Sequence, residues 1–244
     1  MSIPKKIHYC WFGGAVLPKS VEKCIRSWKK FCPDYEIICW NEDNFDLTEN
    51  IYASEAYRAK KWAFVSDYVR LKVIYDIGGI YLDTDVCLLK PLEPLLEDGG
   101  YMGFEEPGIV STGLGFAAEA GNCVIGELLK DYDNIHFVQP DGTFDLTPCP
   151  KRNTDALRRL GMDVNTEKQK FMGMNFLPCD YLCPMNYYTG KTVITENTYS
   201  VHNFSASWTS KTSKRTTKIK RIIGVNLYNK LYGKFLHRFK WLEW

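Results

Sequence analysis

The sequence lacks any apolar run that could cross a membrane, since no stretch of its 244 residues approaches the roughly 18 apolar residues of a spanning helix. Its first residues contain no uninterrupted apolar segment with a small-residue cleavage site, so we expect no secretory signal. The nine cysteines include no Cys-x-x-Cys pair, which disfavours a zinc site, and their odd number and wide spacing disfavour a disulfide framework. We therefore expect free thiols and a cytoplasmic location.

A strong overall charge is also missing, because the formal net charge is only +2. This total conceals an uneven distribution. Residues 209–244 contain ten Lys and Arg against one acidic residue, so this tail carries +9 and the rest of the chain −7. The hydrophobic content of 45% and charged content of 25% are typical of a globular domain and exclude a disordered chain.

The basic tail has an apolar stripe at helical spacing, formed by Tyr228, Leu231, Tyr232, Phe235, Phe239 and Leu242. One interpretation is a basic amphipathic helix that rests on an anionic membrane surface. The other is a terminal helix that packs its stripe against the domain, with its lysines solvated. Nucleic acid is not an expected partner, because the tail contains no recognisable basic and aromatic binding module.

The rest of the chain is typical of an α/β protein. The pattern predicts an opening strand over 3–12, a helix over 21–30 capped by Ser20, and a second strand over 35–40. A long helix over 54–76 is expected to end at Gly78-Gly79, followed by a short strand over 80–82 before Asp83. The region 101–188 should consist of short strands and loops with one helix over 154–160, and a late strand should follow over 193–201.

Two pairs of charged residues mark the expected site. Asp83 and Asp85 follow a predicted strand, where ligands bind in open α/β sheets. Two close carboxylates repel each other, which favours a divalent cation such as Mg²⁺ or Mn²⁺ between them, and such a cation can stabilise a departing diphosphate. Asp67 and Arg70 project together from a helix at i, i+3; alone, this spacing is more typical of a surface ion pair.

The complete spacing SDxxRxxxxxxxGGxYLDxD closely resembles the signature of the DXD sugar-binding glycosyltransferases of family 32 and, more distantly, the clostridial glucosylating toxins. Residues 3–14 are similar to the first strand of that family, and residues 201–208 to its closing HxxxxSW segment. The resemblance implies a GT-A fold, with a single Rossmann-like mixed sheet flanked by helices and a small associated sheet. We assign residues 1–208 to this domain and 209–244 to a C-terminal basic amphipathic helix.

The resemblance also implies roles for the polar residues. Asp67, Arg70, Asp83 and Asp85 are the candidate catalytic residues: Asp85 would bind the metal, and Asp83 the donor ribose and the metal. Asp67 and Arg70 would contact the donor sugar. His202 would be a further metal ligand, although an isolated histidine is more often structural.

Further donor contacts are implied for aromatic and small residues. Trp11 would stack on the nucleobase, Tyr81 would lie against the phosphate or sugar, and Ser207 and Trp208 would close over the diphosphate. Trp11 and Tyr81 have an alternative interpretation as core aromatics. The glycine-containing loop 111–116 is expected beside the donor sugar.

The function implied is a metal-dependent retaining glycosyltransferase that uses Mn²⁺ or Mg²⁺ and a nucleotide-sugar, with a UDP-sugar expected. The expected acceptor is a lipid-linked glycan of capsular or exopolysaccharide synthesis at the inner face of the cytoplasmic membrane. No carboxylate stands out as a nucleophile, so a front-face mechanism is expected. A protein acceptor and a non-catalytic nucleotide-sugar-binding protein are alternatives. A haloacid dehalogenase-type phosphatase is remote, because Cys87 occupies the Thr or Val position of its motif.

Overall fold

The structure, a computed structural model, describes residues 2–97, 99–165, 167–187 and 189–205. The basic tail, Ser207, Trp208 and the expected domain boundary at 208 lie outside these described residues. Within the described ranges, no helix combines the length and the apolar character that a membrane span requires.

Ten strands and seven helices make up the described chain. The strands are β1 (Lys6–Cys10), β2 (Glu36–Trp40), β3 (Gly79–Tyr81), β4 (Val86–Leu88), β5 (Tyr101–Glu106), β6 (Ile109–Ser111), β7 (Phe116–Ala118), β8 (Gln169–Phe171), β9 (Met174–Leu177) and β10 (Ser200–His202). The helices are α1 (Lys19–Phe31), α2 (Ile51–Arg58), α3 (Trp62–Ile77), α4 (Glu93–Leu96), α5 (Cys123–Lys130), α6 (Cys149–Arg159) and α7 (Cys179–Leu182), with 3₁₀ turns at Leu47–Glu49 and Thr112–Leu114.

Eight strands form one mixed sheet in the order β2-β1-β3-β7-β5-β9-β8, with β6 paired to β5. Its first part is the parallel group β2-β1-β3, and β7 then runs antiparallel to β3. This arrangement confirms the predicted α/β class with a single Rossmann-like mixed sheet. Strands β4 and β10 pair separately as a small antiparallel sheet.

The predicted helix 54–76 is wrong in one respect, because two helices, α2 and α3, occupy this region. Between them Lys60 adopts a left-handed backbone, φ 55°. The amide of Lys60 donates to the carbonyl of Tyr57, and the amide of Lys61 donates to that of Ala56, both at 2.9 Å. These two bonds form a Schellman motif, which usually has glycine at its left-handed position. Because lysine occupies this position, the sequence gave no sign that α2 ends here.

The late strand predicted over 193–201 is much shorter, since only β10 forms. A turn at Thr195 interrupts the segment: the Thr198 hydroxyl accepts from the Thr195 amide at 2.9 Å, and the Thr198 amide donates back to the Thr195 carbonyl at 3.2 Å. The middle region also contains a helix that was not predicted, α5, whose first amides, those of Val124 and Ile125, donate to the side chain of Asn122. Pro18, and not Ser20, precedes α1, and no side chain caps that helix.

The core holds the site's supporting helix in place. Helix α3 has buried residues on all of its sides, so its charged residues are enclosed with its apolar ones. It ends at Gly78, φ 75°, whose carbonyl accepts a bond from Nε2 of the buried His8 at 3.0 Å. Nδ1 of His8 accepts from the Trp40 indole, which assigns the proton to Nε2. Burial lowers the pKa of His8 to about 4, so this ring is a neutral link between β1 and the end of α3.

Candidate active site

The candidate site lies where the parallel strands end. Asp83 comes two residues after β3, and the Leu82 amide between them still donates to the carbonyl of His8 on β1 at 3.0 Å. The chain then turns sharply, because the Val86 amide donates to the carbonyl of Asp83 at 2.9 Å. This turn brings Asp83 and Asp85 to one edge of the sheet, the position at which open α/β sheets bind ligands.

The small sheet supplies a third group. Its register pairs His202 with Val86, so the imidazole lies next to the preceding Asp85. His202 Nε2 is 3.1 Å from Asp85 Oδ1, and the ligand atoms of Asp83, Asp85 and His202 all lie within 4.8 Å of one another. More than a hundred residues separate His202 from the two aspartates in sequence, and the β4–β10 pairing is what joins them.

The segment after β10 fixes Asp85 from its other side. The amide of Asn203 donates to the Asp85 carbonyl at 3.0 Å, and the amide of Ser205 donates to Asp85 Oδ2 at 2.7 Å. Between them Phe204 has a left-handed backbone, φ 47°, which is uncommon for a residue with a side chain. Its ring packs edge-on against the His202 ring, with centroids 4.4 Å apart.

The Asp85–His202 pair sets the protonation of this group, and a cation bound at Nε2 would have to displace the proton that the pair favours. Burial disfavours the charged form of Asp85, but His202 and the Ser205 amide outweigh it and lower the pKa of Asp85 to about 2. Burial also opposes the charge on His202, yet the Asp85 carboxylate raises the pKa of this imidazole. Two carboxylates and one imidazole nitrogen at this spacing are ligands that Mn²⁺ and Mg²⁺ accept. The buried Nδ1 of His202 has no hydrogen-bond partner in the described chain, so Asp85 on Nε2 and the Phe204 ring orient the imidazole.

Behind the aspartates lies a buried ion triad. Arg70 Nη2 is 3.1 Å from Asp67 Oδ1 and 3.2 Å from Asp83 Oδ1. The side chains of Arg70 and Asp67 are only 4% and 9% exposed, so they are not the helix-surface ion pair that the spacing alone favoured. Arg70 Nε also donates to the carbonyl of Ser66 at 3.1 Å, which orients the guanidinium along α3.

The two carboxylates of this triad are destabilised by burial. Burial raises the pKa of Asp67 to about 6, against the opposing effect of Arg70. Burial likewise raises the pKa of Asp83, which Arg70 counteracts. Because one guanidinium serves two carboxylates, the triad has an excess negative charge in a poorly solvated position.

The aromatic candidates lie at the same edge with different exposures. The ring of Tyr81 is buried between Phe116 and the Arg70 guanidinium, which lies 5.2 Å from its centroid. Its hydroxyl donates to Asp83 Oδ1 at 3.0 Å, so the structure places Tyr81 as a support of Asp83. Trp11 follows β1, is half-buried, and its indole nitrogen donates to the Ala15 carbonyl at 2.5 Å. Donor contacts for both residues stay predictions.

Three residues that the sequence did not assign also belong to the site. Cys149, the first residue of α6, has its sulfur 3.5 Å from Arg70 Nη1 and hydrogen-bonds Asp67. A Cβ on Gly113 would lie 2.9 Å from Asp83 Oδ2, so any side chain at this position would clash with that oxygen. Glu105 on β5 is a further carboxylate near His202, and burial raises its pKa. The resemblance predicted only that loop 111–116 lies near the site, and the close approach of Gly113 to Asp83 agrees with that prediction.

Comparison with known proteins agrees with this geometry. A family model described as "Glycosyltransferase sugar-binding region containing DXD motif" matches residues 18–100. "Inositol phosphoceramide mannosyltransferase 3" of Schizosaccharomyces pombe is 33% identical over 128 residues, which are 48% of this chain and 34% of that protein. "Initiation-specific alpha-1,6-mannosyltransferase" of Saccharomyces cerevisiae is 28% identical over 102 residues, which are 37% of this chain and 21% of that protein. The matches thus span about a third or less of these relatives.

Among solved structures, the "PaToxG Glycosyltransferase" superposes with a TM-score of 0.50 and 19% identity, covering 65% of this chain and 69% of that one. This likeness shows a shared fold. The predicted fold class is therefore confirmed, and the predicted resemblance to DXD glycosyltransferases agrees with the family model and with the names of the relatives. Residues 18–100, the segment that matches this family model, contain Asp67, Arg70, Asp83 and Asp85.

Proposed function

We propose that this protein is a metal-dependent retaining glycosyltransferase that transfers a sugar from a nucleotide-sugar to a hydroxyl acceptor. The observation that carries the proposal is the cluster of Asp83, Asp85 and His202 next to the buried triad around Arg70. A surface turn with two acidic residues needs neither a histidine from a second sheet nor a buried arginine beneath it. Mn²⁺ or Mg²⁺ held by the cluster would neutralise the charge of a diphosphate leaving group.

The chain's own residues divide the remaining work. Arg70 is held in place by Asp67, Ser66 and Asp83, so its position is fixed before a donor binds. Asp67 would accept from a sugar hydroxyl, and Asp83 has its second oxygen, Oδ2, facing Gly113. The Ser205 amide and Phe204 hold Asp85 and His202 in their positions. Pre-positioned charges of this kind favour departure of the diphosphate with little rearrangement.

For the substrates, we propose a nucleotide-sugar donor, with a UDP-sugar expected from the family resemblance. Two relatives are named mannosyltransferases, which makes mannose a second donor sugar to test. A lipid-linked glycan of capsular or exopolysaccharide synthesis is the proposed acceptor, and the name of one relative, which acts on inositol phosphoceramide, supports a lipid-bound acceptor. A protein acceptor is the alternative. The proposed location is the cytoplasmic face of a membrane, with the basic tail on the anionic surface.

The test is a panel of UDP- and GDP-linked sugars, with release of the nucleotide measured in Mn²⁺, Mg²⁺ and EDTA. We expect slow hydrolysis of one donor that EDTA abolishes. Asp85→Asn should reduce it at least 100-fold, in line with the loss of a group that stabilises a transition-state charge. Asp141→Asn is the matched control, because Asp141 lies in an exposed turn where its carboxylate only accepts from Thr143.

Two results would contradict the proposal. If no donor is bound or turned over with either metal, the enzyme hypothesis fails. If Asp85→Asn retains the hydrolysis seen with the intact chain, the cluster is not the site. Donor binding without hydrolysis or transfer would favour the non-catalytic nucleotide-sugar-binding protein, and hydrolysis of simple phosphate monoesters would favour the phosphatase.

A further inference from the structure

Helix α1 is fixed to the site by its inner face. Its buried residues are Val21, Cys24 and Trp28, and the Trp28 indole donates to the Val86 carbonyl at 2.8 Å. The Ser27 hydroxyl accepts from the Leu88 amide at 2.9 Å. Both contacts are with β4, the strand that follows Asp85 directly. The helix therefore covers the small sheet that carries Asp85 and His202.

The outer face of the same helix is strongly basic. Its exposed charged residues are Lys19, Glu22, Lys23, Arg26, Lys29 and Lys30, which give five positive charges and one negative charge. We call these six residues the α1 basic face. Glu22 is 3.7 Å from Arg26, and no other ion pair on this face occurs within the described part of the chain. At 1.5 Å per residue the helix is about 20 Å long, so four net charges lie along a narrow solvated strip.

The basic tail cannot neutralise this face. The described chain ends at Ser205, which is bound to Asp85 at the edge of the small sheet, and the tail begins at residue 209. The tail carries +9, the same sign as the α1 basic face, so the two repel when they approach each other. The α1 basic face is therefore left without a neutralising partner among the described residues beyond Glu22.

We propose that the α1 basic face docks on the anionic phospholipid surface of a membrane. The face consists of long side chains whose aliphatic stems and charged ends suit a phosphate-rich plane, and each lysine near such a surface adds to the attraction. No aromatic ring is exposed on this face to stack on bases, which disfavours single-stranded nucleic acid as the partner. Docking here would bring the small sheet and its site close to a lipid-linked acceptor. The inference therefore rests on the proposed function and names the surface that meets the membrane.

The test is sedimentation of the full-length protein with phosphatidylcholine vesicles that contain or lack phosphatidylserine. The variant Lys19→Gln, Lys23→Gln, Lys29→Gln, Lys30→Gln removes four charges from the face and leaves the inner residues unchanged. The matched control replaces Lys60, Lys168, Lys170 and Lys191 by Gln; these four are exposed as well, and two of them lie at or near β8, the edge of the sheet opposite β2. A third variant replaces Lys230, Lys234 and Arg238 of the tail by Gln.

We expect the intact protein to bind vesicles with phosphatidylserine, and salt to weaken this binding. The α1 variant should bind at least about tenfold more weakly, with the control within about twofold of the intact protein. Loss of binding only in the tail variant would overturn the inference. Equal binding of the intact protein to neutral vesicles would also overturn it. A third contrary result would be an α1 variant that binds vesicles normally but has lost binding to duplex DNA.

Donor hydrolysis without vesicles separates this inference from the proposed function. It should be unchanged in the α1 variant, because no residue of the α1 basic face contacts the metal cluster or the triad. If the intact protein hydrolyses a donor and the α1 variant still binds vesicles normally, only the inference about the docking surface is overturned. Absence of hydrolysis in the intact protein would overturn the proposed function alone.

Discussion

Asp67 should lower the stability of the folded protein at neutral pH, and replacing it by Asn should raise that stability. The carboxylate is buried in α3 and shares Arg70 with Asp83, so the three side chains carry one excess negative charge. Asp67→Asn keeps the size of the side chain and leaves Arg70 paired with Asp83 one to one. The substitution therefore removes the uncompensated charge without leaving the guanidinium unpaired.

The size and pH dependence follow from the pKa of Asp67. Burial raises this pKa from 3.8 to about 6, so the folded protein binds a proton more tightly than the unfolded chain. The contribution of the protonated form to stability is complete below the unfolded pKa and is lost as the pH rises through the folded one. Each pKa unit corresponds to about 1.4 kcal/mol, so ionised Asp67 costs up to about 3 kcal/mol above pH 6. Because this pKa already includes the attraction of Arg70, the net gain for Asn should approach about 3 kcal/mol.

The assay is urea unfolding in EDTA near pH 4 and near pH 7.5, with the free energy of unfolding compared between variant and intact protein. The gain for Asp67→Asn should appear at the higher pH and disappear at the lower, and donor turnover should fall. Asp145→Asn is a control of opposite sign. Its partner Arg152 is 2.6 Å away, and the bonds from Thr147 and Arg152 outweigh burial and lower the pKa of Asp145. That variant should lose stability at pH 7.5, with the loss vanishing as the pH falls.

The reasoning would be refuted if Asp67→Asn were less stable than the intact protein at pH 7.5, or if its effect were the same at both pH values. Either result would mean that the Arg70 pair compensates for the burial of the carboxylate. An unfolding transition that is not two-state would be visible as disagreement between fluorescence and circular dichroism.

Two further substitutions address the groups that the sequence did not assign. Gly113→Ala should weaken Mn²⁺ binding about tenfold or more, measured by calorimetry, because its Cβ would lie 2.9 Å from Asp83 Oδ2 and 3.4 Å from Arg70 Nη1. An unchanged affinity would show that the loop yields without moving Asp83. Cys149→Ala should raise the KM for the donor about tenfold, because Asp67 loses a hydrogen-bond donor, whereas Cys149→Ser should restore most of it. Equal KM values for Ser and Ala would show that the thiol only fills space.

Local signals were sufficient for the opening strand, helix and strand and for the end of α3. The strand before Trp11, the amphipathic helix α1 and the strand β2 follow from apolar periodicity, which packing against a single sheet imposes directly. Gly78, with φ 75°, ends α3 as predicted, because few other residues adopt that backbone. The position of Asp83 and Asp85 at the end of β3 could therefore be predicted as well.

Short-range hydrogen bonds that the sequence does not signal formed the features that were missed. Lys60 adopts the left-handed position of a Schellman motif although its sequence context lacks glycine, so the break between α2 and α3 is invisible locally. The segment before β10 is rich in β-branched residues, yet hydrogen bonds at Thr195 fold it into a turn. In each case hydrogen bonds between residues three to five positions apart override the helix or strand propensity of the segment.

The site shows the same division. Asp67 and Arg70 could be selected only because the complete motif was present, since their spacing alone favours an exposed pair and the structure buries both. Cys149 and Glu105 had no such motif. They reach the site because α6 and β5 are packed beside it, a property that no short stretch of sequence encodes.

The charges of the assembled site give the strongest physical reason for a divalent cation. Four carboxylates converge on two cationic side chains: Asp67, Asp83, Asp85 and Glu105 against Arg70 and His202. Burial raises the pKa of three of these carboxylates, which is the response of a group that lacks sufficient positive charge nearby. Only Asp85 has a lowered pKa, and it is the one bound to His202. A diphosphate would add still more negative charge, which a divalent cation at the cluster would offset.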